Sequence, residues 1–207
     1  MAHVPAAERR SQLIDAAIDL MKREGMAAGS TRAVAAELGV AQMTVHYVFG
    51  SKAEFTRAVF EELGRRVVDQ VRPVAEHPVE GGFAEALAHT VRVLWRASVE
   101  DDGANTLWSE LETHALRDPV LRRTHAEHTM NMRGITAELL TTLAERSGAA
   151  LALPAPTVAR FFLAAFEGLL SQHLAAPDEE AERRCLEQIS AATVALALGS
   201  LPLPEHV

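Results

Sequence analysis

Two histidines, His125 and His128, are the first side chains in this sequence whose spacing suggests chemistry. Three residues apart on a helix, they share one face and can meet a common metal ion or a common bound molecule. They sit in an apolar stripe with Leu121, Met132, Ile135 and Leu139, spaced at three and four residues. A later stripe carries Phe162, Phe166, Leu169 and His173, while Trp95, Trp108 and Glu112 fall on two earlier helical segments. An apolar chamber with a few polar groups is what a small-molecule site requires. Such stripes also suit an ordinary core with hydrogen-bonded histidines, and no third ligand completes a metal site around the histidine pair. The candidate chamber lining is Trp95, Trp108, Glu112, His125, His128, Met132, Phe162 and Phe166. No metal is expected.

Catalytic signatures are missing. The sequence has no nucleophile elbow, phosphate loop, dinucleotide fingerprint or metalloprotease pair, so neither an enzyme nor a cofactor is expected. Its single cysteine, Cys185, cannot close an internal disulfide and reads as a small buried residue. The net charge of −8 opposes nucleic-acid binding, but the acidity is unevenly placed. Residues 1–52 hold six Lys or Arg against five acids, and the remainder fourteen against twenty-three. A near-neutral segment still binds phosphates when its cations and backbone amides face one way. The largely apolar run from Ala191 to Leu198, interrupted by Thr193, is too short for a bilayer. Met1 to Glu24 carries charges of both signs at helical spacing, unlike a signal peptide. A cytoplasmic protein without membrane contact is expected.

The elements that must position these residues all read as helices, about nine of them, with no confident strand. The first spans about Ala6 to Glu24 and stops at Gly25. The second starts at Ser30 or Thr31, either of which can cap it, and ends at Leu38 before Gly39. The third covers Gln42 to Phe49. The fourth opens on the capping box Ser51-Lys52-Ala53-Glu54 and runs to about Arg72, with Pro73 and Pro78 marking a loop. A fifth spans Gly82 to Val99 and a sixth Asn105 to Ala115. Asp118-Pro119 starts the seventh, which reaches Ser147. The eighth covers Thr157 to Ala175 and the ninth Asp178 to Leu198, followed by a frayed tail from Gly199 to Val207. Leu186, Ile189, Thr193 and Leu196 give the ninth helix an apolar side. The expectation drawn from it is a homodimer joined as a four-helix bundle through the eighth and ninth helices.

The segment from Thr31 to Lys52 has helix-turn-helix grammar. Ala35 is small where two helices cross, Gly39 supplies the turn, and Val40 and Val45 pack the second helix back on the first. Phe49 points into a core shared with the first helix. The spacing alone also fits an ordinary helical hairpin. The wider segment, about Ile14 to Phe55, resembles the tetracycline-repressor (TetR) family. The matching residues are Gly25, Thr31, Ala35, Leu38-Gly39-Val40, Thr44 to Phe49 and Ser51-Lys52. A weaker likeness covers Leu107 to Arg122, including Trp108, Ala115 to Pro119 and Leu121-Arg122. Two positions depart from the pattern: His46 stands where the family carries a tyrosine, and Val48 where it carries a histidine.

The resemblance implies an all-α protein with a three-helix DNA-binding head over residues 1–52 and a ligand-binding and dimerisation body over residues 53–207. It implies that Gln42, Met43 and Thr44 meet base edges, that Thr31, His46, Tyr47 and Lys52 meet phosphates, and that Arg32 does either. The partners implied are palindromic double-stranded operator DNA, a second copy of the chain and a small molecule of unspecified identity that releases the repressor.

Overall fold

A computed structural model describes residues 5–76 and 81–201. Among the described residues the chain forms helices and no strand: α1 (Ala6–Glu24), a 3-10 turn (Met26–Ala28), α2 (Thr31–Glu37), α3 (Gln42–Phe49), α4 (Lys52–Glu76), α5 (Gly82–Val99), α6 (Asp102–Ala115), α7 (Pro119–Arg146), α8 (Ala155–Ala175) and α9 (Glu179–Ala197). No described helix is long and apolar enough to cross a membrane.

The chain's punctuation explains most of these boundaries. Gly25 ends α1 at φ 87° and ψ 164°, a region that only glycine occupies readily. It is a different conformation from the left-handed cap that a helix-stopping glycine usually takes. It also starts the 3-10 turn, for which the sequence pattern carries no signal. Ser30 caps α2, its hydroxyl accepting the Ala33 amide at 3.2 Å. Asp118 caps α7 through the Val120 and Leu121 amides, at 2.8 and 3.3 Å. The expected capping box at α4 is half formed. Ser51 Oγ accepts the Glu54 amide at 3.1 Å, but the Glu54 carboxylate pairs with Arg57 instead, and the Ser51 amide bonds the Phe49 carbonyl. Pro73 does not end α4, which continues to Glu76. Near the end of a helix, proline forfeits one backbone bond without preventing a last turn. Pro78 and residues 202–207 lie outside the described residues.

The helices sort into two compact units. The first contains α1 to α3, α4 up to Arg66, and Asp102–His128. Its core joins Leu13, Ala17 and Ile18 to Val34, Val45, Phe55, Val59, Phe60, Leu107 and Leu111. The second contains Val67–Asp101 and the chain from Thr129 onward. Its core draws Phe83, Leu87 and Val91 from α5, Leu140 from α7, Val158, Phe162 and Phe166 from α8, and Leu186 and Ile189 from α9.

This second core changes the reading of α9. Leu186, Ile189, Thr193 and Leu196, the face expected to meet a second chain, are buried within one chain, at 6, 8, 0 and 7% exposure. Helical periodicity identifies an apolar face but not its cover, and here α9 packs on α5 and α8 of its own unit.

Candidate functional site

The turn between α2 and α3 is built by Gly39, whose φ of 62° is left-handed. The Gly39 amide bonds Ala36 O at 3.0 Å and the Val40 amide bonds Ala35 O at 2.9 Å, a Schellman ending that satisfies the last carbonyls of α2. Ala35 is 2% exposed and Val45 1%, so a small residue and a branched one make the tight crossing. Phe49 is buried at the end of α3, its ring edge-on to Phe55 at 5.0 Å and covered by the Arg10 guanidinium at 5.3 Å.

With Val45 and Phe49 turned inward, α3 presents Gln42, Met43 and Tyr47 outward. Met43 is 71% exposed and Tyr47 87%. Gln42 Nε2 donates to Thr31 Oγ1 at 3.4 Å, tying the start of α3 to the first turn of α2. Arg32 and Lys52 are exposed, while Thr31, Thr44 and His46 are half-buried. No side chain caps α3 at Ala41; the Thr44 amide bonds the Ala41 carbonyl at 2.9 Å, and the Gln42 and Met43 amides ahead of it keep their capacity for an anion.

The candidate chamber residues fall into two aromatic groups. In the first unit, Trp108 packs against Phe60, with ring centroids 4.9 Å apart. His128 also packs on Trp108, its ring centroid 4.0 Å from that of the indole and tilted by 31°. Burial, reinforced by neighbouring His125, pushes the His128 ring down to about 4, so it is neutral at ordinary pH. In the second unit, Trp95 stands edge-on to Phe166 at 5.7 Å and to His173 at 5.7 Å, and Phe162 follows Phe166 at 5.5 Å. Met132 is half-buried. Glu112 is exposed, one residue beyond buried Leu111, and joins neither aromatic group. Among the described residues no group of three or more His, Cys, Asp or Glu is placed to hold a metal ion.

Residues 13–59 match the description "Bacterial regulatory proteins, tetR family", and residues 83–198 match "BetI-type transcriptional repressor, C-terminal". The chain belongs to the tetR family. It is a DNA-binding transcriptional regulator, and the family's members of this type are regulators rather than enzymes. The HTH-type nicotine-responsive transcriptional repressor HdnoR of Paenarthrobacter nicotinovorans is 29% identical over 181 residues, covering 85% of this chain and 89% of the relative. A tetR-family regulator from Mesorhizobium loti shares the fold at a TM-score of 0.72 and 17% identity, with 94% of this chain and 98% of that one covered. The multidrug binding protein EbrR, solved with proflavin, is 29% identical with a TM-score of 0.58, over 88% of this chain and 99% of its own.

Within this tetR-family fold, sequence reasoning missed two carboxylates. Glu110 of α6 accepts the Met26 amide at 2.5 Å, across 84 residues of sequence, and so caps the 3-10 turn that leads into α2. A Cβ on Gly25 would lie 3.3 Å from the same carboxylate, so glycine there leaves room for the contact. Glu182 of α9 is only 7% exposed. Its Oε1 accepts the Asp178 amide at 3.0 Å and lies 2.8 Å from His173 Nδ1. Nothing in the sequence separates these two from the other acids of a chain that carries 28. The family-like stretch from Ala115 to Arg122 has a local reason for its residues. The Arg122 guanidinium donates to the Ala115 and Leu116 carbonyls at 3.2 and 2.6 Å, closing the end of α6 while Asp118 opens α7.

Proposed function

We propose that this regulator is a homodimeric repressor that holds a palindromic operator through two copies of α3 and releases it when a small molecule binds its helical body. The observation that carries this reading is the outer face of α3, where Gln42, Met43 and Tyr47 stand clear of the core beside Thr31. Gln42, Met43 and Thr44 read base edges. Thr31, His46, Tyr47 and Lys52 hold phosphates together with first-turn amides, and Arg32 serves either purpose. Residues 1–52 form the DNA-binding part, and residues 53–207 bind ligand and dimerise. Since α9 spends its apolar side on its own unit, the dimer uses the outward side of α8, with Phe161 38% exposed among exposed Ala164 and Gly168, and the neighbouring outer side of α9. The protein works in the cytoplasm.

Repression is supported by the names of HdnoR and of the matching C-terminal family. A molecule carrying an aromatic nitrogen heterocycle is the ligand class best supported, since one relative is named for nicotine and another was solved with proflavin. Aromatic rings and a neutral imidazole suit such a molecule. The Trp108–His128 and Trp95–Phe166 groups are the two candidate contacts. Helices α4 and α7 each contribute residues to both units, which makes them the continuous elements that carry the signal. A ligand that prefers a different spacing of the two copies of α3 opposes DNA by linkage, and a coupling of about 1–3 kcal/mol weakens binding roughly 5–150-fold.

The test has two steps. Aromatic nitrogen heterocycles are screened for quenching of tryptophan emission in the Trp95→Phe and Trp108→Phe variants, which assigns the contact. Operator affinity is then measured by anisotropy with and without a compound that quenches. A fall in affinity supports release; equal affinities with the compound bound contradict it.

A further inference from the structure

Helix α3, Gln42-Met43-Thr44-Val45-His46-Tyr47-Val48-Phe49, contains neither lysine nor arginine. That absence constrains which bases it can read. In the major groove guanine shows two acceptors, N7 and O6, and is met best by the paired donors of arginine or by lysine. Adenine shows one acceptor and one donor, which the amide of glutamine matches. Thymine shows a methyl group, which an apolar side chain matches. The outward residues of α3 supply an amide at Gln42 and a thioether chain at Met43, the latter 71% exposed. Tyr47, 87% exposed one turn further on, offers a single hydroxyl. His46 and Thr44 are half-buried; the first offers at most one outward ring nitrogen, the second a single hydroxyl and a methyl, and neither supplies the paired donors that suit guanine.

The geometry of Gln42 strengthens the argument. Its Nε2 donates one hydrogen to Thr31 Oγ1 at 3.4 Å. The other Nε2 hydrogen and Oε1 then remain as the donor–acceptor couple that adenine N7 and N6 require. A tethered amide also loses less side-chain freedom on meeting a base than an untethered one. The exposed cations nearest in sequence, Arg32 and Lys52, belong to the first turns of α2 and α4. Arg10 is stacked on the Phe49 ring at 5.3 Å.

We infer that the part of each operator half-site lying under α3 is made of A·T pairs, with an adenine read by Gln42, a thymine methyl packed on Met43, and no guanine read from this helix. Thr31 is the positioning residue for Gln42. This rests on the reading of α3 as the helix that enters the groove, and the experiment separates the two.

The full chain is used to select duplexes from a randomised pool, and the winners are titrated by anisotropy. Gln42 and Met43 are exposed, so their variants keep the fold. Gln42→Ala is expected to lose one A·T preference per half-site, a change of roughly 5–150-fold in discrimination. Replacing the thymine under Met43 by deoxyuridine removes only the methyl. It should weaken the wild type about fourfold per half-site and leave Met43→Ala unaffected, as expected for one buried methyl. Met43→Arg should shift the preference at its position toward guanine. Thr31→Val should lower the adenine preference at the Gln42 position, and an equal loss on every sequence would instead confine Thr31 to a phosphate. Selection of G·C at the positions that respond to Gln42 and Met43 overturns the inference while leaving α3 as the reader. A selected site whose preferences ignore both substitutions, or no selected site at all, overturns the reading of α3 itself.

Discussion

Replacing His128 by phenylalanine should flatten the acid side of the stability profile. In the folded chain, burial and the adjacent His125 hold His128 at about 4, against 6.5 for the free side chain. Between those values the unfolded chain takes up a proton that the folded chain refuses, so stability is full above the upper value and is lost as pH falls. The loss is negligible near pH 7.5, about 2 kcal/mol at pH 5 and about 3 kcal/mol below pH 4. Phenylalanine keeps a flat ring against Trp108 but has nothing to protonate. Carboxylates elsewhere titrate in both proteins and cancel in the comparison. The chain has two tryptophans, so a Trp95→Phe background leaves Trp108, which touches His128, as the fluorophore. Urea unfolding at fixed protein concentration would be compared at about pH 7.5 and about pH 5. Wild type should lose about 2 kcal/mol more than the variant over that interval. Parallel losses would refute the claim that this ring is folded in its neutral form.

Two further outcomes are expected. Lys52→Ala should weaken binding to all duplexes alike and lower the salt slope of the affinity by about 0.9 for each phosphate that the lysine neutralises, read by anisotropy across a salt series; a change in sequence preference would mean that Lys52 reads bases. Glu110→Ala should cost about 1–2 kcal/mol in the same urea assay, since the Met26 amide is deprived of a charged acceptor, and Glu110→Gln should recover part of it; equal losses in both variants would assign the effect to packing rather than to the amide.

How much is legible in the sequence depends on whether the deciding signal is local. The end of α1 at Gly25 and the turn after α2 at Gly39 are readable, because a glycine stop acts within a turn of itself. The outer face of α3 is equally readable, since burying Val45 and Phe49 forces Gln42, Met43 and Tyr47 outward at helical spacing. Pro73 misleads because the cost of proline depends on how many turns follow it, which the residue alone does not state. The stripe of Leu186, Ile189, Thr193 and Leu196 is apolar as its spacing implies, yet it is buried within its own chain, where α9 packs on α5 and α8. Periodicity carries no information on whether the partner is the same chain or another. Glu110 and Glu182 are beyond reach for a related reason. The Met26 amide lies 84 residues from Glu110, and burial of the Glu182 carboxylate beside His173 is a consequence of how α8 and α9 pack.

A hydroxyl-radical footprint of the full chain on its selected duplex examines the reading of DNA recognition as a whole. Two symmetric α3 helices in successive major grooves should protect two patches per strand, centred about 10–10.5 base pairs apart. Adding a quenching heterocycle should erase both together. A single patch, two patches off that spacing, or protection that persists with the ligand bound would contradict the account.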